Sequence, residues 1–402
     1  MSLLVKRGDS PQDRFATEVL EMFRADSRVE DAWYDRDQFA ISIRPVDGAP
    51  VWAHLSDLYQ EWGSADPEAR SGALRDFVQA AVAPPELPAT WEQARPLVRP
   101  ALCGVTATLP RHGDPESEAL WRPGPPYLAE VVELALPGSP RVPVGLATRW
   151  GVPSSEIFAA ARDNLAQRRS QPELSGAAAP RVLRLVDDGG VYWVSHLLLD
   201  GWLAGFAEHL GGTPVAFAPD RATLLLAPAD PGLLTSVFEM VEEEYGQSAR
   251  PVSPMAYTVD DQGRLIPYQA PAGHPLHAAI GRAERVLANA EYSRQKRWWD
   301  ETGSPHRAGT LMLSGRTDGT VFSVAMPARG AATLLPRTDY LAVTSPEAGL
   351  SFVPWAEAER ILGLKPEPDL EPPRFLLDAE LSEETQQALR AAAVDPSVPV
   401  RG

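Results

Sequence analysis

Residues 189–227 read GGVYWVSHLLLDGWLAGFAEHLGGTPVAFAPDRATLLLA, and this stretch organises the chain. Val191–Leu199 is an apolar, strand-like run that feeds a short helical piece, Trp202–Leu210. Gly211–Gly212 ends that piece, as glycine does past a helix C-terminus. Two more apolar runs follow, Val215–Phe217 and Thr223–Ala227, around a Pro219-Asp220-Arg221 corner. The expectation is a βαββ unit that carries no metal box, phosphate loop or nucleophile elbow.

On the N-terminal side, Phe15, Val19, Met22 and Phe23 fall on one face of a helix that opens near Ser10–Pro11. Phe39–Ile43 alternates at period two and reads as a strand. Leu55, Leu58, Tyr59 and Trp62 make a second helical face, and Leu74, Phe77, Val78 and Ala81 a third. Residues 83–88, APPELP, read as a linker. Trp91–Leu102 is helix-like but interrupted by Pro96 and Pro100, and Tyr127–Leu136 is read as a strand. A helix starts at Ser154 as its N-cap, with Ile157, Phe158, Ala161 and Leu165 as its buried stripe. Arg181–Val186 and Val252–Val259 are read as strands, with a helix from Pro231 between the latter and the opening stretch.

On the C-terminal side, Leu276–Trp299 is the longest helical pattern, and Tyr292–Trp299 at its end is both basic and aromatic. Thr310–Ser314 and Thr320–Ala325 flank Asp318–Gly319, a hairpin signal. Ala331–Leu335 and Tyr340–Thr344 are expected to continue a meander. Trp355–Leu362 is a helix closed by Gly363, Lys365–Arg374 is proline-rich surface chain, and Leu381–Ala393 is a last helix capped by Ser382. The expected fold class is α+β, with mixed or antiparallel sheets and packed helices. Three pieces are expected: 10–88, an N-terminal α+β subdomain; 89–268, a central one; and 269–402, the long helix with its meander and Pro-rich tail.

Composition bounds the function. The formal net charge is −17, which opposes nucleic acid as the main ligand and suits a basic protein partner. The single cysteine, Cys103, permits neither an intrachain disulfide nor a cysteine-based zinc site. No stretch approaches a membrane span, the N-terminus has no secretory pattern, and the expected location is cytoplasmic.

Trp150-Gly151-Val152, Glu156, Ala161 and Asn164-Leu165 resemble the pattern of the YtpQ-like proteins, the DUF1444 family. So do Ser195 before a leucine run, Trp202, Gly212 and Pro219-x-Arg221, and the resemblance covers about residues 10–268. That pattern places an acidic residue directly after the arginine, where this chain has Ala222, with Asp220 on the other side. The family is functionally uncharacterised, so the resemblance implies a fold relationship and no activity.

No residue set joins a nucleophile, a base and an orienting group. On a strand, Ser195 and His196 would lie on opposite faces, a poor geometry for a nucleophile–base pair. His274 and His277 flank Pro275 without a metalloprotease frame, His54 reads as a surface histidine, and Asp260–Asp261 as turn chemistry. No cofactor, metal or catalytic residue is therefore assigned. The expected binding residues are Tyr192, Trp193, Asp200, Trp202 and Arg221, at a sheet edge and its loops, with Arg297 and Trp298 on the long helix. The expected function is a non-catalytic protein-binding or regulatory protein, such as an inhibitor or immunity-type protein for a basic partner. A hydrolase or transferase acting on a small molecule and a scaffold or assembly subunit are the alternatives.

Overall fold

Ser10 and Pro11 open the first helix as their residue types dictate. In the computed structural model, α1 (Pro11–Ala25) starts with a capping box: Asp13 N–H donates to Ser10 Oγ at 3.1 Å, and Ser10 N–H donates to Asp13 Oδ2 at 2.9 Å. Phe15, Val19 and Phe23 are buried against an antiparallel sheet of β1 (Val29–Asp35), β2 (Ala40–Pro45) and β3 (Val51–His54). Ile41, Ile43, Leu55, Leu58, Leu74 and Val78 complete that core. The structure describes residues 10–36, 39–46, 51–55, 58–59, 74–75, 77–79, 81–82, 86–110, 115–136, 139–168, 182–187, 191–248, 250–270, 273–302, 306–328, 330–345 and 349–397. Trp62 and the side chain of His54 lie outside the described residues.

The chain is α+β and divides into two units, Met1–Ala89 with Ala135–Pro140, and Thr90–Leu134 with Arg141–Gly402. Residues on both sides of position 268 belong to the second unit. Its first part runs α2 (Trp91–Ala94), β4 (Val98–Gly104), β5 (Trp121–Pro123), β6 (Leu128–Leu134), α3 (Val144–Trp150) and α4 (Ser154–Gln167). β4, β6 and β5 form an antiparallel sheet in that order. The helix expected over 91–102 stops at Ala94. Pro96 interrupts it, and Pro100 is tolerated because β4 is an edge strand. Ser154 is the first helical residue of α4, and Pro153 takes the cap position.

β7 (Leu183–Val186), β8 (Pro214–Phe217), β9 (Thr223–Pro228), β10 (Ala256–Val259) and β11 (Leu265–Pro267) form the central five-stranded sheet, in the order β11-β10-β8-β9-β7. α6 (Pro231–Gln247) follows β9 and buries Leu234, Val237, Phe238 and Val241 in the core of this sheet. The strand expected over 191–199 is instead a 3-10 helix, Trp193–Leu198, in which all six side chains are buried. An apolar run surrounded on all sides gives no periodicity to separate strand from buried helix. The opening stretch is thus helix, helix, strand, strand: a 3-10 turn at Leu203–Phe206 continues into α5 (Ala207–Leu210), and Gly211 closes it at φ 69°.

α7 (His277–Thr302) carries the remaining elements: β12 (Arg307–Ala308), β13 (Thr310–Gly315), β14 (Val321–Met326), β15 (Thr333–Pro336), β16 (Tyr340–Ser345), β17 (Gly349–Pro354), α8 (Trp355–Leu362), β18 (Arg374–Leu377) and α9 (Glu383–Ala391). The β13–β14 hairpin forms as its turn residues predict. The meander does not continue. β15 leaves for a second sheet, β12-β15-β18, and β16 returns parallel to β14. All four residues of β15 are buried, so the strand sits between two others instead of at a hairpin edge. α9 is capped by Ser382 and packs through Leu389.

Two fully buried polar side chains tie α7 to its surroundings. Glu291 accepts from Thr106 N–H at 2.8 Å and Thr106 Oγ1 at 2.7 Å, and pairs with Arg294. Arg374, with no carboxylate bonded to it among the described residues, donates to Gln295 Oε1 (2.6 Å), Gly309 O (3.0 Å), Leu334 O (2.9 Å) and Tyr292 O (2.9 Å). No described helix is long and apolar enough to cross a membrane.

Candidate functional site, a cleft at the edge of the central sheet

β6 places Glu130 inside the protein. The strand is buried along its whole length, and its register sets Arg122 of β5 directly across from Glu130. A buried carboxylate must be matched by donors, and here two guanidinium groups supply them. Arg122 donates through Nε at 2.9 Å and Nη2 at 2.9 Å. Arg162, on α4 one turn beyond the buried Phe158, donates through Nε at 3.1 Å and Nη2 at 2.7 Å. Both pairings use the planar fork that distinguishes arginine from lysine. Arg122 also lies over the Phe158 ring, 4.5 Å from its centre. Burial works against the charge on Arg162. The hydrogen bonds and charge of Glu130 outweigh it, with Asp200 adding to them, and hold the guanidinium above its ordinary pKa.

Glu130 and Arg162 face a cleft of about 500 Å³. One wall is the Pro123–Pro126 turn between β5 and β6, and another is Leu197, Leu198 and Asp200 at the end of the 3-10 helix. The third is the β10–β11 hairpin, from Asp260 to Pro267. Asp200 stands 3.8 Å from Arg162 Nη1 with 65% of its side chain exposed, so it remains available to solvent or a ligand. Asp260 is engaged within its own turn, accepting from Arg264 N–H and Nε at 2.9 Å each and from Gln262 N–H at 2.9 Å. The backbone N–H of Arg264 is the first cause of its lowered pKa, followed by the Arg264 side chain.

Two glycines clamp the walls together. Gly201 N–H donates to Gly263 O at 3.0 Å, and both residues have left-handed φ, 75° and 76°. A Cβ on Gly263 would lie 2.6 Å from Gly201 N, so only glycine permits this approach. β11 is the outer strand of its sheet. Asp260 N–H reaches Arg264 O and Tyr268 N–H reaches Ala256 O, so the alternation of an antiparallel ladder turns the backbone of Leu265 and Pro267 away from β10. Ile266, 38% exposed, adds apolar surface there.

Of the binding residues expected from sequence, Asp200 alone lines this cleft. Tyr192, at φ 61°, lies half-buried beneath Arg99, whose guanidinium is 4.3 Å from the ring centre. Trp193 is buried in the central core, and Trp202 is half-buried against His196 and Phe206. Arg221 pairs with the buried Glu133 at 2.5 Å, beside Arg141 at 3.8 Å from the same carboxylate. Arg297 is exposed on α7, while Trp298 is half-buried and donates its indole N–H to Pro110 O at 2.8 Å. Glu130, Arg122 and Arg162 were not singled out from sequence. Their signal was the glutamate pair, Glu130 and Glu133, inside a run read as a strand.

His196 is fully buried, with Nδ1 3.0 Å from Tyr192 O and no hydrogen-bond partner for Nε2 among the described residues. Burial lowers its pKa, and the Tyr192 carbonyl and Asp187 only partly oppose that. Among the described residues no hydrogen bond joins it to Ser195, and no group of three or more His, Cys, Asp or Glu comes together as a metal would need. Burial pushes the Cys103 thiol up to about 11. Comparison with protein-family models, curated proteins and solved structures finds no match to this chain.

Proposed function

We propose that this chain is a non-catalytic protein-binding protein that takes an extended, basic segment of a partner along the outer edge of β11. The observation that carries this reading is the clamped cleft. It combines an outward-facing strand backbone, apolar walls from prolines and leucines, and one exposed carboxylate, Asp200, above a floor in which Arg122 and Arg162 share Glu130. Backbone pairing to a sheet edge supplies affinity without sequence preference, and side-chain pockets beside the edge supply the preference. Asp200 would select a lysine or arginine. The chain's net charge of −17 would draw such a partner in. An inhibitor or immunity-type role against a basic partner fits this chemistry, and a cytoplasmic setting fits the lone buried cysteine.

Selection from a displayed random-peptide library on the intact protein tests the proposal. The expected peptides carry a basic residue within an alternating apolar pattern, and Asp200→Lys abolishes their recovery. Amide exchange at Leu265, whose N–H faces outward, slows when a selected peptide is bound, while Ile266, turned toward β10, is unchanged. Selection that yields no enriched peptide, or peptides indifferent to Asp200→Lys, overturns it.

A further inference from the structure

A second cleft, of about 700 Å³, opens between the start of α7 and the β13–β14 hairpin, well apart in sequence from the first. Its walls carry His274, His277, Arg285, Arg316, Asp318 and Asp339. Asp339 is matched by a cation, whereas Asp318 is met by neutral donors and feels the charge of Arg316 without a bond to it. Asp339 accepts two bonds from Arg285, at 2.7 and 2.8 Å, and two from Ser323, at 2.7 and 2.8 Å. Asp318 accepts from Thr320 N–H at 2.9 Å and Oγ1 at 2.7 Å.

Arg316 differs. Its hydrogen-bond partners are all neutral: Pro396 O at 2.8 Å, Tyr340 OH at 3.2 Å and Thr320 Oγ1 at 3.3 Å. Phe322 lies beneath the guanidinium, with the ring centre 4.8 Å away. Among the described residues the group is therefore fixed in place without a carboxylate bonded to it, and two of a guanidinium's five N–H donors remain unused. His274 Nδ1 accepts from Leu276 N–H at 3.2 Å, which puts the ring proton of the neutral imidazole on Nε2 as a further donor. A held arginine with spare donors, beside a donor histidine and an Asp339 already matched by Arg285, is suited to an oxyanion.

We propose that this cleft binds a small molecule bearing a phosphate, with Arg316 as the cation that receives it. The volume exceeds that of a lone phosphate and leaves room for an organic group against Pro275, Val321 and Pro354. This site stands independently of the peptide cleft.

The test titrates the intact protein with inorganic phosphate, glycerol phosphate and adenosine monophosphate, followed by calorimetry and by the ring resonances of His274 and His277. Saturable binding that moves those resonances is expected, with tighter binding for whichever ester fits. Loss of one charge-assisted contact makes Arg316→Gln weaken binding by about tenfold to a hundredfold, and Arg316→Lys restores part of it. No saturable binding of any of the three, or binding that leaves the histidine resonances unmoved, overturns the proposal. So does a folded Arg316→Gln that binds as the parent does. The resonance readout on the parent protein decides the matter should the variant not fold.

Discussion

Replacing Arg374 by methionine removes a buried cation while keeping much of its volume. Four acceptors lose a donor: Gln295 Oε1, Gly309 O, Leu334 O and Tyr292 O. Two of them keep another partner. Leu334 O still accepts from Gly309 N–H at 2.9 Å, and Tyr292 O remains inside the hydrogen-bond ladder of α7. Gly309 O and Gln295 Oε1 are the groups left short, and a buried acceptor without its donor costs about 1–3 kcal/mol. One gain opposes this. Burial brings the Arg374 guanidinium down to about 10, which marks the cost of holding its charge inside, and methionine escapes that cost. Burying the apolar replacement adds to the gain, so the net loss expected falls below the sum of those two costs, at roughly 1–4 kcal/mol. Urea unfolding followed by tryptophan fluorescence measures it, with amide exchange in α7 as a local readout. Arg374→Lys, whose single ammonium cannot span acceptors on three elements, falls between the two. A methionine variant within about 0.5 kcal/mol of the parent refutes the reasoning, because the carbonyls would then have needed no donor.

Glu130→Gln leaves two guanidinium groups on one neutral amide. Both arginine side chains are about a third exposed (31% and 37%), so water screens part of the repulsion and the expected loss is about 1–3 kcal/mol. Removing Arg122 as well should recover part of it in a thermal-melt cycle, and strict additivity would rule out the shared carboxylate. Gly263→Ala sets a Cβ 2.6 Å from Gly201 N at a left-handed φ, so a loss of about 1–3 kcal/mol is expected, together with weaker capture of selected peptides. Parent-like stability in that variant would show that the two loops are not clamped. His196 supplies the pH dependence. Its folded pKa lies below the ordinary 6.5 because of burial, so as pH falls through 6.5 the unfolded chain gains a proton that the folded chain resists. Stability is therefore lost on acidification below that point, by at most about 1.4 kcal/mol per pH unit. His196→Phe should flatten the difference between urea midpoints at neutral and mildly acid pH, and an unchanged slope would sink the assignment.

The elements that sequence foretold are those whose signal is local. Ser10 and Pro11, Asp230 and Pro231, and Gly211 and Gly363 mark helix ends through their own side chains or φ angles, and each end forms where they stand. Asp318–Gly319 likewise produces its hairpin. Trp193–Leu198 carries no such local signal, because burial on every side removes the periodicity that separates strand from helix. The departure of β15 to another sheet was illegible for a different reason. Pairing partners are chosen by tertiary packing, and Thr333–Pro336 carries no mark of which neighbour it will meet. The candidate site was half visible. Asp200 is among the binding residues expected from sequence, whereas Arg162 is one of several arginines along α4 and its flanks. Only the fold shows that it reaches across to Glu130 on β6.

Cations are almost all arginine here, thirty-four of them against three lysines. Part of the imbalance lies in the interior. Glu130 is met by Arg122 and Arg162, Glu133 by Arg221 and Arg141, and Arg374 is matched by neutral acceptors. Forked, multidentate contacts of this kind suit a guanidinium and not an ammonium. These contacts join two buried carboxylates to four part-exposed guanidiniums, and the chain as a whole keeps its formal net charge of −17. Exposed charge of one sign accelerates the approach of an oppositely charged partner and is screened by salt. Association with a basic segment should therefore slow steeply as ionic strength rises, while dissociation, governed by the β11 edge and the apolar cleft walls, changes little. Were both rates indifferent to salt, the acidity would serve solubility alone, and Asp200 would have no part in choosing the partner.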